Sequence, residues 1–183
     1  MEAFPQTRTS SEFSAPACLI RGGTFTNNGN SLSLGQSDSS RGTYNVDGGT
    51  LTVGVVGSSG GTSTFNFNGG TLQAAAPTTS FSSGLTTANV RNGGAVIDTN
   101  GSNITIPQSL VHSTVSGDNA TDGGLAKRGS GTLTLTGANT FNGPTTVSTG
   151  TLNLGNANAL QQSTLTLSSS GGGNVTLDGG CHG

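Results

Sequence analysis

Charged residues are scarce in this sequence: 8% of its 183 residues are Asp, Glu, Lys or Arg, and the formal net charge is −2. Six basic residues do not supply the basic footprint that nucleic-acid binding requires. Disordered chains usually pair low hydrophobicity with a high net charge, and the high net charge is missing. We therefore expect a folded protein that does not bind nucleic acid.

Aromatic residues and long apolar runs are also scarce. There is no Trp and one Tyr, Tyr44, so the chain has few aromatic rings on which bases or sugars could stack. No apolar stretch approaches the 18 residues or so of a membrane-spanning helix. Residues 1–20 lack the basic and apolar regions of a signal peptide. We predict no membrane span, no signal peptide in this chain, and a flexible leader over residues 1–20.

Cysteine is limited to Cys18 and Cys181. Two cysteines do not make a disulfide framework and do not reveal the compartment. In an elongated fold they would lie near opposite ends, whereas a disulfide needs Cα atoms within about 7 Å. We predict that both are unpaired.

The chain is instead rich in Gly, Thr, Ser and Asn, punctuated by single aliphatic residues. The stretch YNVDGGTLTVG at 44–54 has a near copy, FNFNGGTLQAA, at 65–75. Related segments place a Gly before a small residue at positions 23, 49, 70, 94, 131 and 150. The long interval after position 94 has room for an extra turn around 104–106 and Val111. A loose period near twenty residues is typical of a stacked array.

This pattern favours a β-solenoid. In TLTLT, at 132–136, leucines alternate with threonines, so one face of the strand is apolar and the other polar. Two or three inward aliphatics per strand are too few for an isolated hairpin. Stacking coils about 4.8 Å apart pairs each strand with its copies and builds a continuous core. We predict an all-β, single-stranded parallel β-helix of seven or eight coils over residues 21–180. An antiparallel sandwich or barrel is the competing fold.

The Gly-Gly motifs are predicted to be corners between strands, with Leu51 and Val53 pointing inward. Glycine supplies the positive φ that a sharp bend often needs. Asp47, Asn68 and Asn92 occupy the same slot before the glycines and are expected to stack into a hydrogen-bonded ladder. No G-x-G-x-x-G or G-K-[ST] opens a helix after a strand, so these are not phosphate loops.

The acidic residues outside residues 1–20 do not nominate a catalytic pair: Asp38, Asp47, Asp98, Asp118, Asp122 and Asp178. Asp47 and Asp178 share the corner slot and are interpreted as turn residues. Asp118 and Asp122 suit either a cation site or a solvated loop, and the loop is preferred because calcium needs six or more oxygen ligands.

The remaining ionisable residues are also interpreted without a functional role. His112 is predicted to face outward without a neighbouring acid, and His182 belongs to a frayed end at 181–183. Lys127 and Arg128 are interpreted as a solvated strand entry that discourages edge association. We therefore predict no catalytic residues, no metal site and no cofactor.

Threonine pairs of the form T-x-T occur at 24–26, 50–52, 132–134 and 164–166. Flat threonine ladders on solenoids can bind ice, but the slots at 71–73 and 95–97 interrupt this one. The preference of Thr for strands explains the pairs as well.

Residues 123–154 read GGLAKRGSGTLTLTGANTFNGPTTVSTGTLNL. They resemble the autotransporter-associated β-strand repeat, matching its pattern from Gly123, Lys127 and Gly131 through Asn139 to Leu152. The resemblance implies a right-handed parallel β-helix in the secreted passenger of a bacterial autotransporter or similar surface protein. It also implies an extracellular location and a role of the repeat in passage and folding outside the cell.

From the resemblance we expect a non-enzymatic stalk or adhesin scaffold. Its expected partners are neighbouring coils and the outer-membrane barrel of a longer parent protein, with a host surface or glycan as further candidates. A signal peptide and a barrel are both missing from the sequence, so we expect a fragment. The alternative is part of a carbohydrate-active β-helix enzyme or of a glycan-binding surface protein.

Overall fold

The computed structural model describes residues 18–20, 22–27, 29–35, 37–168 and 172–177. All regular elements of these residues are β-strands, and each strand pairs in parallel with its equivalent in a neighbouring coil. The chain is therefore a parallel β-solenoid, as predicted, and the antiparallel alternative is wrong. Seven strands stack on the second face, so the described residues form seven coils, with about six full turns from the first to the last, in agreement with the seven or eight expected. Its handedness stays a prediction.

Each coil visits up to three faces in a fixed order. The first face is a five-stranded sheet formed by Cys18–Ile20 (β1), Arg41–Val46 (β4), Thr62–Phe67 (β7), Thr87–Val90 (β10) and Leu110–His112 (β13). The second face has seven strands: Thr24–Thr26 (β2), Thr50–Val53 (β5), Thr71–Ala74 (β8), Ala95–Asp98 (β11), Leu125–Arg128 (β14), Thr145–Val147 (β16) and Leu165–Leu167 (β18).

The third face consists of two sheets. The first contains Ser31–Leu34 (β3), Val55–Ser58 (β6) and Ser82–Ser83 (β9). The second contains Ile104–Ile106 (β12), Thr132–Leu135 (β15), Thr151–Leu154 (β17) and Asn174–Leu177 (β19). The two sheets meet at residues 78–83, where Phe81 N donates to Thr105 O at 2.7 Å.

The core is a set of stacked inward columns. On the second face Leu51, Leu72 and Ile97 occupy successive register positions and are fully buried. On the first face the rings of Tyr44 and Phe65 stack with centroids 5.6 Å apart. Burying a side chain of this size stabilises the fold by about 1.5–3 kcal/mol, so the short strands gain their stability from stacking.

The stretch 44–54 is confirmed as strand, corner and strand rather than a hairpin. β4 lies on the first face and β5 on the second, and Leu51 and Val53 both point into the core. Gly49 has φ +66°, and a Cβ there would lie 2.8 Å from the carbonyl carbon of Gly22 in the preceding coil. Glycine is therefore required at this corner both by the backbone conformation and by the close approach of the coils.

The six aligned glycines do not all mark one corner. Positions 23, 49, 70 and 94 precede second-face strands, whereas Gly131 and Gly150 precede β15 and β17 on the third face. The equivalent of Gly94 is Gly124, because Ala95 pairs with Leu125. The prediction was wrong here because T-L-T-L recurs on two faces, so local sequence does not distinguish them.

The first face ends at β13 within the described residues. Residues 136–144 and 155–164 run where further first-face strands would lie, and both are irregular. Residues 157–162, within the second of these segments, form a turn. The later coils therefore hold strands on the second and third faces alone.

The predicted ends differ partly from the structure. Strand β1 falls inside the expected leader, but it pairs with Tyr44–Val46 and belongs to the solenoid. Residues 1–17 and 178–183 lie outside the described residues, so the predictions for Asp178, Cys181 and His182 are not addressed.

Candidate functional site

Lys127 is buried inside the solenoid. It occupies the inward column of the second face between Ile97 and Val147, and its side chain is fully shielded from solvent. The ammonium nitrogen donates to the carbonyl oxygens of Gly129 at 2.7 Å, Arg128 at 3.0 Å and Thr149 at 3.1 Å. The Thr99 hydroxyl lies 3.3 Å away. These acceptors come from the coils on both sides of Lys127 and from its own coil.

Burial lowers the pKa of Lys127 to about 8, and the charge of Asp98 acts in the opposite direction. The side chain therefore stays protonated at neutral pH, and its three hydrogens match the surrounding carbonyls. The interpretation of Lys127 as a solvated residue was wrong, whereas Arg128 is exposed. The sequence did contain an indication of this burial. Inward and outward residues alternate along the strand from Leu125, which places residue 127 on the inward side.

Asp122 is a second buried polar centre. Its Oδ1 accepts hydrogen bonds from Gly124 N and Gly143 N, each at 2.9 Å. Its Oδ2 accepts one from Asn142 N and lies 2.9 Å from His112 Nδ1. The carboxylate is 1% exposed, so the prediction that Asp122 lies in a solvated loop is wrong. It joins the end of β13 to the turn of the following coil.

His112 does not face outward alone. It continues the inward column after Val90, at the point where the first face ends. Its side chain is 26% exposed and contacts Asp122, an acid the sequence placed too far away to be recognised as a neighbour. The prediction of an isolated, outward histidine was therefore wrong.

Asp118 is held by Arg91 in a two-pronged ion pair. Arg91 Nε and Nη2 lie 2.8 and 2.9 Å from the two carboxylate oxygens, and Ser113 also donates to Asp118. The hydrogen bonds from Arg91 lower the pKa of Asp118, and the pair raises the pKa of Arg91. The prediction of a solvated loop is wrong for Asp118 too, because its ion pair with Arg91 anchors residues 113–121 to the preceding coil.

Neither acid is free to bind a cation. The oxygens of Asp118 and Asp122 already accept hydrogen bonds from protein donors. Across the described stretches, no three His, Cys, Asp or Glu side chains come together as metal ligands.

The side chain of Asn139 makes hydrogen bonds that a further strand of the first face would otherwise make. Its Oδ1 accepts a hydrogen bond from Leu110 N at 2.8 Å, and its Nδ2 donates to Ala159 O at 2.8 Å. The backbone of residue 139 is also bonded, to Asn158 O and to the side chain of Gln161. Asn139 is 1% exposed. One side chain thus connects the end of the first face to the next two irregular segments, and the sequence analysis assigned it no such role.

Outward side chains form ladders, one of them partly where it was expected and another on the first face. Asn66 bonds to Asn45 at 2.6 Å and to Asn89 at 2.8 Å on the first face. The predicted corner ladder is confirmed between Asp47 and Asn68 and ends there, because Asn68 Oδ1 accepts Gly93 N instead of an Asn92 side chain.

The threonine pairs are divided between faces. Thr24, Thr50 and Thr71 align on the second face, whereas Thr132–Thr134 lies on the third. On the second face the outward neighbours of Thr52 are Gln73 and then Asp98, linked by hydrogen bonds of 2.9 Å. A continuous flat threonine ladder is therefore absent from these strands.

Residues 125–154 match the family model of the passenger-associated transport repeat. The predicted resemblance is confirmed. We call these residues the transport repeat. Lys127 and Asn139 lie within it and Asp122 lies three residues before it, so these three buried polar residues lie in or beside the repeat.

One curated relative is the adhesin BmaC autotransporter of Brucella suis biovar 1 (strain 1330), which is 37% identical over 76 residues. The match covers 42% of this chain and 2% of the relative. The chain therefore corresponds to a small part of that protein. No solved structure gives a significant match. Among the described residues, no helix is long and apolar enough to cross a membrane.

Proposed function

We propose that this chain is a non-enzymatic structural segment of a secreted, surface-displayed passenger, acting as a stalk or adhesin scaffold. The observation that carries the proposal is the match of residues 125–154 to the transport repeat together with their place in the solenoid. The similarity to an autotransporter adhesin supports an extracellular or cell-surface location. On this proposal the partners are further coils and an outer-membrane barrel of a longer parent protein, with a host surface or glycan as the target.

We further propose that the transport repeat supports folding during export by fixing the register of the coils. The Lys127 ammonium has acceptors in its own coil, but the carbonyl oxygen of Thr149 reaches it only when the following coil is stacked in register. Asn139 similarly needs Leu110 in one coil and Ala159 in another. A slip of one residue would remove these hydrogen bonds between coils, and a buried polar group that loses its partner costs about 1–3 kcal/mol. Correct stacking is therefore favoured over neighbouring registers.

The test places the chain between a signal peptide and an autotransporter barrel and measures the protease-accessible fraction on intact cells. Asn139→Ala should lower the displayed fraction at equal total expression. Asn158→Ala is the matched control, because the side chain of Asn158 is exposed and makes no hydrogen bond to any described residue. If Asn139→Ala lowers the stability of the isolated protein yet is displayed like the parent, the export role is wrong.

The enzyme alternative is tested separately with a panel of polysaccharides. We expect no cleavage, because the buried acids serve as hydrogen-bond acceptors for the backbone and for Arg91. Cleavage that disappears on Asp118→Asn or Asp122→Asn, with the fold intact, would overturn the non-enzymatic proposal.

A further inference from the structure

Four Asn-Gly pairs lie in described corners and turns: 68–69, 92–93, 100–101 and 142–143. An Asn-Gly pair can modify itself when the glycine nitrogen attacks the Asn side-chain carbonyl carbon. The new N–Cγ bond closes a succinimide and ammonia leaves. Water then opens the ring to aspartate or isoaspartate. The attack needs a glycine N–H that is not held by an acceptor and room for the backbone to rotate.

Three of the four pairs are protected by hydrogen bonds. Gly69 N donates to Gly94 O, Gly93 N to Asn68 Oδ1, and Gly143 N to Asp122 Oδ1, each at 2.9 Å. The Asn side-chain oxygens are engaged as well: Asn68 by Gly93 N, Asn92 by Asn119 N at 2.8 Å, and Asn142 by Asp122 N at 2.9 Å. Both reacting groups are therefore fixed in other contacts.

Asn100-Gly101 differs in each respect. Within the described part of the chain, neither Gly101 N nor Asn100 Oδ1 takes part in a hydrogen bond. The side chain is held through Nδ2, which donates to Ala74 O at 3.2 Å. Asn100 is exposed and has φ +48°, in the left-handed region. A Cβ at Gly101 would meet nothing closer than Ser130 Oγ at 3.8 Å, so the Gly101 side of this corner is open, whereas Asn100 N lies against Gly129 of the next coil.

We propose that Asn100-Gly101 is a site of spontaneous deamidation in the folded protein, while the other three pairs are protected. The co-reactant is water, and the products are aspartate and isoaspartate at position 100. The modification removes the bond to Ala74 O and places a second carboxylate beside Asp98, which accepts a hydrogen bond from Asn100 N at 2.8 Å. It therefore changes the charge of one exposed corner between the second and third faces.

The experiment incubates the intact chain at mildly alkaline pH and maps the products by proteolysis and mass spectrometry, with fragmentation to locate each site. The same chain in denaturant sets the time scale, and sampling runs until half of its Asn-Gly pairs have converted. In the folded protein Asn100 should then be converted several-fold more than Asn68, Asn92 and Asn142. An intact Asn100 at that time, or conversion no greater than at the other three, overturns the proposal.

A variant tests the stated cause of protection. Asn68→Ala removes the acceptor of Gly93 N, so conversion at Asn92 should rise several-fold while that at Asn142 stays low. Asn45→Ala is the matched control, because it shortens an outward ladder without touching an Asn-Gly pair. No acceleration at Asn92 in a folded Asn68→Ala protein would show that these hydrogen bonds do not protect the pair.

Discussion

Asn139 Oδ1 accepts a hydrogen bond from Leu110 N at 2.8 Å across 29 residues of chain. Leu110 begins β13, the last strand of the first face within the described residues. In a longer sheet that N–H would donate to the next strand. Here a side-chain amide, which is chemically equivalent to a peptide group, takes the place of the strand.

Asn139→Ala should therefore destabilise the solenoid by about 2–4 kcal/mol, because it leaves one buried N–H and one buried carbonyl without partners. Urea unfolding followed by circular dichroism measures the change. Asn158→Ala should change the free energy of unfolding by less than about 0.5 kcal/mol. Equal effects of the two substitutions would contradict the role assigned to Asn139.

Lys127 should make stability depend on pH. Its folded pKa of about 8 lies below the ordinary value of 10.5, so the folded state binds fewer protons between these pH values. The free energy of unfolding should rise with pH across this window, by about 3 kcal/mol in total for this group. Below pH 8 the cost of burying the charge is fully present.

Lys127→Met should remove that rise, which is measured by urea unfolding of both proteins at several pH values from 7 to 10.5. Lys127 is the one lysine of the chain, so its pKa can also be followed by NMR without ambiguity. A difference between the two proteins that stays constant with pH would show that the folded pKa of Lys127 is not lowered.

Ser82 and Ser63 form a matched pair. Both are fully buried, but Ser82 Oγ has no hydrogen-bond partner among the described residues, whereas Ser63 Oγ accepts Thr86 N at 3.0 Å. Ser82→Ala should raise the free energy of unfolding by about 1 kcal/mol, and Ser63→Ala should lower it by about 1–2 kcal/mol. Thermal unfolding of the two variants checks the opposite signs, and destabilisation by Ser82→Ala would contradict the assignment.

Asp122→Ala should lower the free energy of unfolding by about 3 kcal/mol, because it removes a buried acceptor of three backbone N–H groups and the contact with His112. Hydrogen exchange should become faster at Gly124, Gly143 and residues 113–121. Asp38→Ala is the control, since Asp38 is exposed. Unchanged protection at Gly124 and Gly143 would show that Asp122 is not the group that holds them.

Much of the fold could be predicted from local sequence. Alternation identified Leu51 and Val53 as inward residues, and Gly-Gly after Asp or Asn identified corners, because both are properties of a few adjacent residues. Placing Gly131 and Gly150 in one repeating series with the earlier glycines was wrong, because they precede strands of the third face. Which face a strand joins depends on the accumulated length of the connections before it, and the transport repeat omits the first-face strand.

The polar centres were harder to predict for a related reason. Lys127, Asp122 and Asn139 find partners about 20 to 30 residues away, so their environment exists only after the coils stack. The alternation around Leu125 did contain the position of Lys127, but an inward lysine is acceptable only if carbonyl oxygens surround its nitrogen. That condition is met by backbone from neighbouring coils, which no local pattern encodes.

The sequence by itself determined a repetitive, all-β chain with glycine corners and single inward aliphatics, because these features arise from strand alternation and backbone sterics. The tertiary structure decided which side chain takes the place of a strand, which charge is buried and which described Asn-Gly pair lacks hydrogen bonds at its reacting groups. Those properties depend on hydrogen bonds between coils, and such bonds are set by the three-dimensional register and not by neighbours along the chain.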